Sequence, residues 1–269
     1  MLRDQELLAT IESQEVKDGE LAFWWLGQLS VLVKTSKHIL VFDPYLAPSP
    51  MRNFPPPLAP EMITNADYIF GSHDHGDHID RNTLPGMMSA SPKARTVCSK
   101  VAARSVVAMG IDEARIVALD EGDVYEEDGL RITPVAVAHE LLDHDPELGY
   151  PYLSFVVETD GVTICHTGDA CLYDGYIKKL SGFDIDVIFL PINGRDAGRY
   201  SHNVMGNMTY QEAVDVVGAL RPRLAVPGHY DLFTSNTADP FPFAGYLRAK
   251  YPDLKCWIGE HAETVFLSK

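Results

Sequence analysis

What this chain has little of narrows its reading first. Its four cysteines, Cys98, Cys165, Cys171 and Cys256, form no C-x-x-C pair, which excludes the common thiolate metal clasp and redox motif. We expect four reduced, mostly buried thiols in a cytoplasmic protein. Cations are also scarce: 22 Lys and Arg stand against 38 Asp and Glu, a net charge of −16. So acidic a surface repels a phosphate backbone, so nucleic acid is not an expected partner, and the same sign disfavours anionic membranes. No apolar run approaches the roughly 20 residues of a spanning helix. The opening stretch MLRDQELLATIESQEVKDGE has neither the basic nor the apolar segment of a secretory signal. The G-x-S-x-G elbow of serine hydrolases is missing too. Repeats, low-complexity runs and linkers are absent, so residues 1–269 are expected to form one large α/β domain.

Local patterns place the elements. Residues 5–15 suit a short helix, and LAFWWLGQLSVLVKTSKHILVFDPYL reads as a hairpin with strands near 21–34 and 38–43. Prolines make 44–60 a long loop. ADYIFGS is a short buried strand, and SKVAARSVVAMG is a helix capped by Ser99. ARIVAL and LRITPVAVA are strand-like. Two β-rich runs flank Asp160-Gly161, a pair suited to positive φ. IDVIFLPI is a continuous apolar strand. Thr209 and Glu212 form a capping box before the helix TYQEAVDVVGALRP. RLAVPGHYD runs from strand to loop, and LKCWIGEHAETVFL supplies the last strands. Sheets covered by helices are the economical arrangement.

The densest chemistry is GSHDHGDHID, residues 71–80. In extended chain, residues i and i+2 point the same way, so His73 and His75 converge on one point. Gly76 is expected to let the backbone turn sharply, sending Asp77 and His78 to a neighbouring point. Imidazole and carboxylate suit Zn, Mn or Fe. Each pair needs completion by residues at other strand ends. The candidates are His139, with His144 as its rival, Asp169 and His229. Asp169 is the choice for bridging two ions through its two oxygens. Asp74 is expected to face away, and His166 to pack or support rather than ligate. His38, His202 and His261 have no comparable context.

In order, SHDHGDH, HTGD and PGHYD resemble the metallo-β-lactamase superfamily, with WWLGQLSVLVKTSKHILVFDPYL similar to its opening hairpin. FWWLG, CHTGDACLYD, PINGRD, GNMTYQEA and PGHYDLFTSNTADP are most similar to the L-ascorbate-6-phosphate lactonase group. The resemblance runs from about Leu21 to Leu267. It implies an α/β four-layer αββα sandwich of two mixed β-sheets flanked by helices, with the site at one edge between the sheets. It implies His73, His75 and His139 on one metal, Asp77, His78 and His229 on the other, and Asp169 between them. Gln28 stands where many members of the superfamily carry a histidine.

The ligand set leads to a metal-dependent hydrolase with one or two divalent ions, Zn or Mn first and Fe next. A metal-bound hydroxide is expected to attack a lactone or related small carboxylic ester, sugar-derived in the group resembled, with Asp77 or Asp169 orienting it or moving its proton. Tyr230 is a candidate donor to the developing oxyanion. Arg195 is a candidate clamp for a carboxylate or phosphate, and Asn207 a second substrate contact; Arg199 is read as an ordinary loop residue. Two rival functions stay open: a phosphodiesterase for small or lipid phosphodiesters, and a non-catalytic metal- or ligand-binding module. The expected partner is a small-molecule substrate, and a homo-oligomer is left open.

Overall fold

The computed structural model describes residues 2–268. After α1 (Asp4–Ser13) come β1 (Glu20–Gly27), β2 (Ser30–Lys34), β3 (Ile39–Phe42) and β4 (Tyr68–Gly71). Then follow α2 (Leu84–Ala90), β5 (Arg95–Ser99), α3 (Lys100–Ala108), β6 (Ile116–Leu119), β7 (Tyr125–Glu127) and β8 (Leu130–Ala136). β9 (Leu153–Thr159), β10 (Val162–His166), α4 (Tyr176–Leu180), β11 (Val187–Pro191) and α5 (Ala197–Ser201) lead into the last part. That part is α6 (Tyr210–Leu220), β12 (Leu224–Gly228), α7 (Phe241–Lys250) and β13 (Val265–Ser268).

The strands form two mixed sheets, ordered β13-β1-β2-β3-β4-β5-β6 and β12-β11-β10-β9-β8-β7. In the first, β3 through β6 run parallel and the β13–β3 edge is antiparallel. In the second, β10, β11 and β12 are parallel and the rest antiparallel. Both faces of β1 are covered, which is why it is apolar almost throughout. Phe23 and Trp25 join the core between the sheets, while Trp24 and Leu26 join a second core under α1, α2 and α3. The inter-sheet layer is knitted by aromatic pairs, Phe23 on Phe189 at 5.2 Å and Phe70 on Phe155 at 5.4 Å. α4, α6 and α7 contribute Leu180, Val217 and Phe243 to the core around the second sheet. The architecture is therefore the expected four-layer sandwich.

Three local expectations change. Residues 21–34 are two strands, not one: the chain reverses at Gln28-Leu29, with Gly27 and Gln28 at positive φ. No Asn-Gly or Asp-Gly pair marks that turn, whereas Asp160-Gly161 does show positive φ at both positions. Gly76 has no positive φ, and a Cβ there would meet nothing within 4 Å, so the turn does not require glycine. It is instead a helical turn in which His78 N and Ile79 N both donate to His75 O. α2, β5 and α7 have no strong sequence signal; α7 carries hardly any amphipathic stripe, and tertiary packing decides it.

Candidate metal centre

Strands of both sheets end along one edge, and the loops leaving them carry the polar cluster. His73 to His78 follow β4; His139 follows β8; Asp169 follows β10; His229 follows β12. The HTGD loop passes very close to the β4 loop: a Cβ on Gly168 would lie 2.7 Å from Ser72 Cβ, and its φ is +59°. Glycine is needed there on both counts.

Ligand-type atoms of His73, His75 and His139 lie within 4.8 Å of one another. So do those of Asp77, His78 and His229, and those of His73, His78 and Asp169. Asp169 reaches across: Oδ1 is 3.3 Å from His78 Nε2, and Oδ2 is 3.1 Å from His229 Nε2 and 3.9 Å from His139 Nε2. His73 Nε2 and His75 Nδ1 are 2.8 Å apart, two ring nitrogens aimed at one place. His144 is exposed against Tyr150 and takes no part, so His139 is the residue brought to the His73–His75 pair.

Charge divides the cluster. Burial pushes His73 and His75 below the ordinary histidine value and lowers His139 to about 4, so these rings keep free lone pairs at neutral pH. Burial opposes charge on His229 and His78 as well, but Asp169 and Asp77 outweigh it, raising His78 and placing His229 at about 9. Against their own burial, Asp77 and Asp169 are held low by the same histidines and are ionised. His78 Nε2 and Asp169 Oδ1, though close, are misaligned and have no hydrogen-bond partner in a fully buried setting. Buried polar atoms left open in a nest of imidazoles and carboxylates fit a divalent cation.

Two further residues shape this cluster. Asp43, just past β3 and 1% exposed, accepts from Ser72 N at 2.7 Å, Ser72 Oγ at 2.7 Å and His78 Nδ1 at 2.6 Å. It fixes the His78 tautomer with the proton on Nδ1 and Nε2 turned to the cluster. It is not among the residues expected from the sequence, where its one signal is an Asp-Pro ending a fully apolar strand. Gln28 is 1% exposed, its Nε2 2.9 Å from Asp77 Oδ2 and 3.0 Å from His229 Nε2, with Oε1 buried and unpartnered. Its backbone ties the turn to the β12 loop, the carbonyl accepting from His229 N at 2.7 Å and the N–H donating to Asp231 Oδ1 at 3.0 Å.

Other expected residues go elsewhere. Tyr230 sits in the core with its ring 5.2 Å from that of Trp25, and it does not line the cleft. His229 adopts a positive φ of 61°, which breaks strand alternation and turns the next side chain inward. The oxyanion role expected for Tyr230 therefore falls. The clamp role of Arg195 falls too, because Glu212 holds its guanidinium through two contacts of 2.8 and 2.6 Å. Asn207 is fully buried behind the cleft wall, donating to Asn193 Oδ1, rather than facing a substrate. Asp74 points away to Ser105, and His166 Nε2 donates to Leu29 O, 2.9 Å away, while its ring stacks on Phe42. His38 and His261 pair with Asp160 and Asp231, and His202 is exposed.

The cluster floors a cleft of about 330 Å³. Met51, Val204, Met205 and Phe233 give it apolar walls, Asn203, Ser235 and Asn236 give it uncharged polar groups, and among the described residues no Lys or Arg lines it. Among the described residues, no helix is long and apolar enough to cross a membrane.

Comparison with known proteins agrees with this picture. Residues 38–230 match the beta-lactamase superfamily domain. The chain is similar to a UPF0173 metal-dependent hydrolase of Pyrococcus horikoshii, 31% identical over 249 residues, which covers 90% of this chain and 94% of that one. A UPF0173 metal-dependent hydrolase of Pyrococcus abyssi is 32% identical over 249 residues with the same coverage. Among solved structures, a metallo hydrolase of Ignicoccus hospitalis superposes with a TM-score of 0.73 at 20% identity, covering 93% of this chain and 99% of that one.

Proposed function

This chain belongs to the beta-lactamase superfamily, and on that premise we propose that it is a metal-dependent hydrolase of a lactone or related small carboxylic ester. The observation that carries the reading is the seven-residue His/Asp cluster at the floor of an apolar-walled cleft. In this reading His73, His75 and His139 would hold one divalent ion and Asp77, His78 and His229 a second, with Asp169 lying between the two groups. Zn or Mn suits the donor set best, with Fe next. When bound, such an ion polarises an acyl oxygen and lowers the pKa of water toward about 7.

The chain's own groups supply the rest. Asp77 is ionised and reaches the cleft, with 21% of its side chain exposed, so its free oxygen takes a proton from water as the acyl carbon is attacked. That proton is then available to the departing alkoxide. Asp43 keeps His78 from turning, and Gln28 restrains the other oxygen of Asp77. Met51, Met205 and Phe233 exclude water around the acyl chain. Because no Lys or Arg among the described residues lines the cleft, a neutral ester suits it better than a phosphodiester, which brings its own negative charge beside Asp77 and Asp169.

The test is a hydrolysis screen of metal-loaded protein over lactones, carboxylic esters and bis(p-nitrophenyl)phosphate, with His75→Ala and Asp169→Ala beside the wild type. Ester or lactone turnover that falls at least about 100-fold in both variants is expected. Turnover that persists in metal-poor variants overturns the mechanism. Metal uptake with no turnover anywhere favours a binding module, and phosphodiester preference favours the rival enzyme.

A further inference from the structure

We propose that Asn236 is the cleft's substrate-positioning donor, presenting its amide NH2 to an acyl or carboxylate oxygen. The proposal rests on the hydrolase reading for its substrate class and on hydrogen-bond logic for the donor.

Asn236 lines the cleft and is 6% exposed. Its Oδ1 accepts from Arg199 Nε at 2.9 Å and from Asn193 Nδ2 at 2.9 Å. A guanidinium has donors only, so the side-chain atom facing Arg199 has to be the oxygen. The amide cannot flip without setting NH2 against two donors. Nδ2 is left as the free end, with no protein partner among the described residues. Arg199 is itself fixed by Asp196 and by Thr237 O at 2.7 Å. Asn193 is fixed from behind by Asn207 Nδ2, 3.1 Å from its Oδ1. Three asparagine amides thus run head to tail from the interior to the cleft, all with the same polarity. A charged donor at the Asn236 oxygen polarises that amide and makes its N–H groups better donors. This also gives Arg199 and Asn207 a task that the sequence did not suggest: they aim Asn236 and do not touch substrate.

The surroundings define what is held. Met51, Met205 and Phe233 offer an apolar lining beside the fixed amide of Asn236. A ligand with one oxygen acceptor and a short alkyl chain matches both features.

The experiment titrates hexanoate, a product-like carboxylate, into zinc-loaded wild type, Asn236→Ala and Asn236→Asp, read by ligand-observed NMR. The Asp variant is the sharper probe. Its carboxylate still accepts from Arg199 and Asn193, so the loop keeps its bonds, but it shows the cleft an acceptor instead of a donor. Binding is expected to weaken about 10-fold in the Ala variant and about 100-fold in the Asp variant, at unchanged zinc content. The order matters, because water can replace a missing NH2 but not a repelling oxygen. Should the Asp variant fail to fold, by circular dichroism, the Ala variant still decides through its 10-fold loss. Equal binding by wild type and variants overturns the assignment, and so does absence of binding to the wild type. The expected order in a protein that hydrolyses no ester leaves the donor standing and removes the hydrolase reading.

Discussion

Replacing Asp43 by asparagine changes one atom and sets three hydrogen bonds against one another. Oδ1 of Asp43 accepts from Ser72 N, and Oδ2 accepts from Ser72 Oγ and His78 Nδ1. An asparagine has one oxygen for these two places. With its oxygen at the His78 side, its NH2 faces Ser72 N–H, and a buried donor loses its acceptor, a cost of about 1–3 kcal/mol. With its oxygen at the Ser72 N side, its NH2 faces His78 Nδ1. The imidazole then has to give up that proton and carry it on Nε2, the atom 3.3 Å from Asp169 and 3.6 Å from Asp77. A protonated Nε2 cannot bind a cation. Either state harms the protein, and the two are read by different assays. Loss of the Ser72 bond lowers the urea midpoint of metal-free protein. Loss of the tautomer weakens zinc binding by about 10–100-fold, or about 1.4–2.7 kcal/mol by calorimetry. Wild-type zinc affinity together with a wild-type urea midpoint in Asp43→Asn would refute the reasoning.

Further outcomes follow from the same structure. His139→Ala is expected to lower the zinc content measured by mass spectrometry, whereas His144→Ala leaves it unchanged, since only His139 reaches the His73–His75 pair. Arg195→Ala is expected to change kcat/KM for anionic and neutral esters alike, because Glu212 occupies the guanidinium; the partly exposed pair contributes only about 0.5–1 kcal/mol to unfolding free energy by urea titration. Phe155→Ala removes a fully buried ring between the sheets and is expected to cost about 3–5 kcal/mol in the same titration.

The parts legible in the sequence are those encoded over short distances. His73 and His75 do converge, although in a bend beyond β4 rather than on an extended strand, and the capping box at Thr209 and Glu212 forms as its spacing predicts. Fold class follows from the same local regularities together with the ordered ligand motifs. What escaped detection comes from pairs far apart in the chain. Asp43 meets His78 across 35 residues, and Asn236 meets Asn193 across 43. Arg195 read as a free cation because nothing local shows that the capping-box glutamate 17 residues on also neutralises it. Tyr230 was misplaced by one backbone angle, the positive φ at His229.

Two of the three three-residue groups at the site, those proposed to hold an ion, each draw members from both layers of the sandwich. His73 and His75 leave the first sheet and His139 the second; Asp77 and His78 leave the first and His229 the second. A cation in either group is thus a rivet through the laminate. At 100 times its dissociation constant it would add about 2.7 kcal/mol against unfolding. A chelator should then quicken hydrogen exchange in both sheets at once and not only in the loops that touch the ion. The gap between the layers also becomes a calliper for ionic radius. A substitution such as Phe155→Leu, in the core between the sheets, is expected to shift metal preference in a competition assay by letting the layers settle closer.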